Sequence, residues 1–296
     1  MAMLITAVAA IAAAAMAARQ HLDIRRSANL MESDQAYLFS LGVESWAVQV
    51  LARDAASGQV DQLQEDWAVV LPPITVEGAV LTGHIEDMQG RYNLNNLVDK
   101  GTVSANDLQT FQRLLQALDI NPALAQAVAD WIDTDVQPEF PDGAEDNSYL
   151  GLEFPYRTPN SPMVSPSELL LVAGFTREIY DTLAPYVTAL PERTPINVNT
   201  AAAPVLMSLA AGLTEADAEQ LIEDRGDNGY QDVNAFKAHQ LLKDKNLNGA
   251  AISVASNYFM VSSLTDYGHS RMTLNSLLHR AAGPKLSVLA RAQGPL

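Results

Sequence analysis

The side chains able to do chemistry in this sequence are concentrated in one stretch. Between Asp130 and Glu153 lie Asp130, Asp133, Asp135, Glu139, Asp142, Glu145, Asp146 and Glu153, eight carboxylates in twenty-four residues without one Lys, Arg or His. Like charges at that density repel one another. Yet the stretch also holds Trp131, Phe140, Tyr149, Leu152 and Phe154, and a loop with so much apolar surface packs. Something must then neutralise its acids. A hard divalent cation held by carboxylate and carbonyl oxygens does so, and a flexible, oxygen-rich loop suits Ca²⁺ better than Mg²⁺. With no His or Cys nearby, Zn²⁺ and Cu²⁺ are disfavoured. Asp133, Asp135, Glu145 and Asp146 are the foremost candidate ligands, with Asp130 and Asp142 behind them. The spacing is not that of an EF-hand: counting from Asp133, the sixth residue is Pro138 instead of Gly and the twelfth is Ala144. The competing reading is a solvated acidic loop, or one that meets a basic partner.

No catalytic constellation accompanies the acids. Paired carboxylates run glycoside hydrolysis, but a group of eight singles out no pair. Gly-x-Ser-x-Gly, P-loop, Gly-x-Gly-x-x-Gly and His-Glu-x-x-His patterns are absent. His21, His84, His239, His269 and His279 are scattered, and the lack of cysteine excludes thiol catalysis, thiolate metal sites and disulfides. The chain is therefore read as non-enzymatic. Its net charge of −17, from 35 acidic and 18 basic residues, disfavours nucleic acid and anionic headgroups as partners of the soluble part.

The elements that must position the loop begin with Met1 to Ala18, a run with no charge, Gly or Pro and a single hydroxyl, Thr6. It is apolar all round and sits at the lower edge of what spans a bilayer. Being rich in Ala, it is a weak anchor, suited to a subunit that must later leave the membrane. A secretory signal would open with a basic segment; an ordinary single-span anchor is the plainer alternative. Charges start at Arg19, His21, Asp23, Arg25 and Arg26, and no Pro occurs before Ser57. One continuous helix from residue 1 to about Ser57, on the order of 85 Å long at 1.5 Å per residue, is expected to end at Gly58. Its core stripe is expected at Leu30, Tyr37, Leu41, Val48, Leu51 and Ala52.

At 296 residues the chain is long for one core. Pro72-Pro73 stops any helix, and Ile74, Val76, Ala79, Leu81 and Ile85 read as strands broken by Gly78 and Gly83. Asp87 to Leu97 reads as a tight turn into a helical region. There Ser104, Asn121-Pro122, Ser165 or Ser167, Asn199-Thr200 and Thr214 are the helix starts. Beyond Asn248 the period returns to two, around Ile252, Tyr258, Met260, Met272, Leu274 and, after Gly283-Pro284, Leu286 and Val288. These strands are expected to rejoin the first sheet. The predicted architecture is α+β: residues 1–25 a transmembrane and assembly helix, 26–97 the remaining helix and first strands, 98–248 an inserted helical domain carrying the acidic loop, and 249–296 the strands completing an antiparallel sheet.

Ile196 to Phe236 resembles the helix-hairpin-helix modules of DNA-uptake proteins, giving a SAM-like or helix-hairpin-helix-like insertion and, as an alternative function, a membrane-anchored DNA-binding protein. Its hairpin, Ala210-Ala211-Gly212-Leu213, lacks the second Gly. Glu215, Asp217, Glu219, Glu223, Asp224 and Asp227 surround Arg225, so a duplex would be repelled. The likeness is read as one of shape.

The long helix on a sheet resembles type IV pilins and the pseudopilins of type II secretion. Gly90–Leu97 (GRYNLNNL), Ala129–Asp135 (ADWIDTD), Gly143–Tyr149 (GAEDNSY), Ser167–Val172 (SELLLV) and Ile196–Ala201 (INVNTA) together resemble the K-type minor pseudopilins over essentially the whole chain. The resemblance implies a leader removed by the prepilin peptidase, Met1 as the mature first residue, and methylation. Most pseudopilins carry Glu at the fifth mature position, which pairs with a neighbour's N-terminal amine. Here that position is Ile5, which implies a tip subunit with nobody above it. It further implies calcium near the WIDTD and GAED motifs, I-type and J-type minor pseudopilins as partners, an inner-membrane anchor and a periplasmic soluble part.

Overall fold

In the computed structural model, which describes residues 1–247, 249–281 and 285–294, a single helix, α1, runs from Ala2 to Ser57. It ends at Gly58, in extended conformation with its N–H on Asp54 O. No residue before Ala36 is buried. The face laid on the protein is Ala36, Ser40, Val43, Glu44, Ala47, Val50 and Leu51. This corrects the expected stripe: Leu30 is 66% exposed, and of the six residues named for that stripe only Leu51 is buried. The reason is close approach. Small residues bring the helix axis near the sheet, and its polar residues bond to the sheet: Ser40 Oγ lies 2.9 Å from Thr265 Oγ1, and Ser276 Oγ donates to Glu44 at 2.6 Å. A hydropathy stripe does not detect such a face.

Beneath α1 lies a five-stranded antiparallel sheet of β1 (Leu71–Val76), β2 (Ala79–Asp87), β3 (Tyr258–Tyr267), β4 (Ser270–Arg280) and β5 (Leu286–Gln293), in that order. Gly83 does not interrupt β2. It sits under the helix, where a Cβ would come 2.8 Å from Val43 Cγ1. Trp67, Ile85, Phe259, Val261 and Leu278 fill the layer below Ala47, Val50 and Leu51. The Gly283-Pro284 break expected before β5 lies outside the described residues.

The chain leaves the sheet after Asp87 and returns at Tyr258, with Asp87 paired to Phe259. Between them fold α2 (Ala105–Ala117), α3 (Leu124–Ile132), α4 (Asp146–Tyr149), α5 (Arg177–Leu183), α6 (Ala203–Ser208), α7 (Glu215–Asp224) and α8 (Val233–Lys237). One core runs through this unit and takes in Tyr92, Leu94 and Leu97, so the insertion starts nearer Met88 than the expected residue 98. Ile252–Ser253 pairs with Ile196–Asn197 and not with the main sheet, so it too belongs to the insert. Thr214 caps α7 through a reciprocal box with Asp217. Asn199-Thr200 is not a cap: α6 starts behind Ala202.

Asp87 to Leu97, expected as a tight turn, is a buried polar hub. Asn95 Nδ2 donates to the carbonyls of Met163 and Leu190, Asn96 Nδ2 to that of Thr194 and Asn93 Nδ2 to that of Glu192, at 2.8 to 2.9 Å. Three amides thereby hold strands of chain some 70 to 100 residues away in sequence.

Asp87 itself joins the two units. Its Oδ2 accepts from Asn197 Nδ2 (2.9 Å), Thr200 Oγ1 (2.6 Å) and Ser256 Oγ (2.6 Å), and its Oδ1 accepts from Gln89 N (2.8 Å). Burial raises its pKa, against these hydrogen bonds. Gly90 lets the same segment touch Thr200: a Cβ there would come 2.7 Å from Thr200 Oγ1 and 3.0 Å from its carbonyl oxygen. Asp87→Asn turns one acceptor into a donor facing donors, so it is expected to lower unfolding free energy by about 3 kcal/mol in urea titration. A loss below about 0.5 kcal/mol would show that the junction does not depend on the carboxylate.

Candidate functional site

Helix α3 delivers the acidic cluster. Its apolar face (Ala125, Val128, Trp131, Ile132) is buried, and the helix stops at Asp133, which turns extended and leaves the next residues to a loop. Asp133, Asp135 and Glu145 then meet with one carboxylate oxygen each, all within 4.8 Å of one another. Asp133 and Glu145 are buried, Asp135 exposed. The loop between them is pinned by Asp130, whose carboxylate accepts from Glu139 N at 3.1 Å. Gly143 is required there, since a Cβ would come 2.3 Å from Asp130 Oδ2. Trp131 closes the far side against Tyr149 (ring centroids 5.5 Å apart) and Tyr156 (6.3 Å).

Of the six candidate ligands, the trio Asp133, Asp135 and Glu145 comes together; the other three do not join it. Asp130 is a buried structural acceptor for the loop backbone. Asp146 is already neutralised, with Arg157 Nη1 at 2.8 Å and Thr158 N at 3.1 Å. Asp142 is exposed on the outer turn, its N–H on Gln126 Oε1. Three residues not foreseen are Arg157, Thr158 and Asn160. Thr158 Oγ1 donates to Glu145 Oε2 (3.1 Å), and Asn160 Nδ2 donates to the carbonyl oxygen of Asp135. They return to the site from the next loop, as an ordinary polar Arg-Thr-Pro-Asn run whose only local signal is turn chemistry.

The trio is electrostatically incomplete. Asp133 Oδ1, Glu145 Oε1 and Asn160 Oδ1 are buried without a hydrogen-bond partner among the described residues, a costly state for polar oxygens. Burial, and then Asp135, Asp130 and Glu145, push Asp133 up to about 7. Burial likewise pushes Asp130 to about 6 and raises Glu145. Hard, negatively charged oxygens converging with unfilled acceptor capacity are the donor set of a divalent cation such as Ca²⁺, and they fit it.

The second feature is the free part of α1. The helix is long and apolar enough to cross a membrane, and its most apolar window is not buried at all within the protein. Met1 and Ile5 lie at its exposed end, Ile5 being 67% exposed. The insert projects from the opposite pole: Asp54 of α1 meets Arg280 beside Asp87 and Tyr258, whereas Glu32 meets the β3–β4 turn at His269.

The helix-hairpin-helix likeness is confined to shape. Arg225 donates to the carbonyls of Val198 and Ala201 (3.2 and 3.0 Å), while Glu215, Glu219 and Glu223 are exposed.

A long N-terminal helix on an antiparallel sheet, bearing a helical insert at the far pole, defines a pseudopilin-class subunit. Two family models described as type II secretion system (T2SS), protein K, match residues 90–192 and 196–255. Type II secretion system protein K of Pseudomonas aeruginosa PAO1 is 38% identical, aligned over 99% of this chain and 90% of its own. Those of Klebsiella pneumoniae and Aeromonas hydrophila are 33% and 32% identical, each over 99% of this chain and 94% and 95% of their own. The crystal structure of the GspK-GspI-GspJ complex from the enterotoxigenic Escherichia coli type 2 secretion system contains a chain that superposes with a TM-score of 0.83 at 28% identity, covering 92% of this chain and all of that one. The chain belongs to the type II secretion system protein K family, the K-type minor pseudopilins. These relatives lend the DNA-binding alternative no support.

The raised carboxyl pKa values have a consequence for pH. The folded chain holds these protons more tightly than the unfolded one, so the cluster's contribution to stability is complete below about pH 4 and is lost as pH rises through 6 to 7. With chelator present, Asp133→Asn is expected to melt above wild type at pH 8 and by a clearly smaller margin at pH 5. A difference independent of pH would show that Asp133 ionises normally.

Proposed function

We propose that this chain is the tip subunit of the type II secretion pseudopilus. Its N-terminal helix anchors it in the inner membrane, with the soluble part in the periplasm, until it is drawn out into a bundle with I-type and J-type minor pseudopilins for protein export. A prepilin peptidase exposes and methylates Met1. The observation that carries the reading is polarity: an exposed stretch of α1, whose first eighteen residues, about 27 Å, are wholly apolar, stands at one pole and the insert at the other. The rod joins a helical bundle from one side only. The insert obstructs addition beyond it, and Ile5 offers no carboxylate to the amine of a subunit above. The crystallised E. coli relative in complex with GspI and GspJ supports the choice of partners. The work of the chain is assembly and not turnover.

Ca²⁺ is the ion we assign to Asp133, Asp135 and Glu145; Asn160, whose Nδ2 bonds the Asp135 carbonyl, adds a buried Oδ1 without a partner among the described residues. When bound it supplies two positive charges to an acid-rich loop. The protein's own contribution is to hold those oxygens together through α3, Gly143 and the Thr158–Glu145 hydrogen bond.

Two measurements test the proposal. Calcium is expected to raise the melting temperature over chelator by several degrees at pH 7.5, and Asp133→Asn with Glu145→Gln to remove that rise. No rise in the wild type would return the loop to a solvated acidic segment. Ile5→Glu is expected to alter fibre initiation and length in cells carrying the full secretion apparatus. Unchanged fibre number and length would end the capping reading.

A further inference from the structure

The upper end of α1 faces the segment that follows it across a groove of about 630 Å³. Trp46, Val50, Arg53 and Asp54 line one wall; Glu65, Asp66 and Val69 line the other. The apolar rim is open, Val69 being 56% and Val70 70% exposed. Trp46 itself is half-buried.

Beneath this rim positive charge is short. Asp54, Asp61 and Glu65 bring carboxylate oxygens within 4.8 Å of one another. One guanidinium, Arg280, reaches Asp54 (2.9 Å) and Asp61 (2.5–2.6 Å). Among the described residues Glu65 is held by neutral donors in its own turn, Gln62 N (3.0 Å) and Trp67 Nε1 (2.7 Å). Burial, then Glu65 and then Asp61, push Asp54 up to about 6 despite Arg280. Arg53 stands at the rim, and exposed Asp66 adds a further negative charge.

A divalent cation does not suit this trio, because it needs several free oxygen ligands and the Arg280 guanidinium already bonds two of the three carboxylates. A basic side chain does suit it. An ammonium or guanidinium can enter along the Trp46 ring, where a cation–π contact adds to the ion pair, and donate to Asp54 and Glu65 while its neighbours cover the valines.

We infer that this groove seats a lysine or arginine, flanked by apolar residues, from a companion pseudopilin. The cation meets Asp54 and Glu65, and its flanks meet Trp46, Val50 and Val69. The identity of the partner rests on the tip reading above; the charge deficit and open rim do not.

The test uses the full-length chain co-expressed with the I-type and J-type companions of the same organism, with a benzophenone photoprobe at position 69. Ultraviolet light is expected to join the chain to a companion, through a peptide containing a Lys or Arg within an apolar run. Asp66→Lys, an exposed change, is expected to reduce the adduct about tenfold, since it places a like charge before the entering cation. Glu65→Gln is expected to weaken it with the melting temperature held. Companions that co-purify without an adduct, an adduct insensitive to Asp66→Lys, or adducts only to a second copy of this chain would overturn the inference and leave the tip reading standing. Failure of the wild-type chain to co-purify with either companion would sink both.

Discussion

One helix has to satisfy two solvents, and the rest of the molecule is arranged around that constraint. Residues 1–31 of α1 are all exposed, so this stretch gains stability only from lipid or from other helices. Above it the helix is fixed to the sheet by packing and by hydrogen bonds. Large apolar side chains alone would leave it free to slide. Instead Ala36, Val43, Ala47 and Gly83 allow close contact, and Ser40 to Thr265 and Glu44 to Ser276 and Arg291 fix register along the axis. Buried polar bonds are directional where apolar contacts are not, which is why they appear on a face that hydropathy would have filled with leucine.

The same device recurs where the insert meets the sheet. Asp54, Arg280, Asp61, Ser256, Asp87, Asn197 and Thr200 form an unbroken chain of hydrogen bonds from the end of α1 to the insert. A buried, unpaired carboxylate such as Asp87 is tolerated because four donors from three segments converge on it. The insert is therefore tied to the pilin-like body through α1 itself, and not hung on two flexible strands.

How much of this could be read from the sequence follows from the range of each interaction. The length of α1, the strands around Ile74 to Ile85 and the capped start at Thr214 are local, and each was legible in hydropathy or capping. The face of α1 was not, because its small and polar residues are chosen by a sheet more than 200 positions away. The Asn93, Asn95 and Asn96 run looked like a turn for the same cause: asparagine favours turns when its amide bonds locally, and here those amides bond to carbonyls some 70 to 100 residues away. In the acidic stretch, density of charge marked the loop in which Asp133, Asp135 and Glu145 converge. Choosing among its members needed the return of Arg157, Thr158 and Asn160, which removed Asp146 from the set by pairing it and brought a neutral oxygen in.

Charge is distributed to match this division of labour. Residues 88–257 hold 23 of the 35 acidic and 10 of the 18 basic side chains, so a net −13 of the total −17 sits on the insert. A unit so charged resists association with its own kind, which suits a subunit present once at the end of a fibre and unsuited to its shaft. Self-repulsion also works against the insert's own fold, most sharply where Asp133, Asp135 and Glu145 converge. The compact loop and the deterrent to self-assembly thus make opposite demands on the same carboxylates. The cation proposed at the trio would answer the first locally, while the acids of α7 remain exposed to maintain the second.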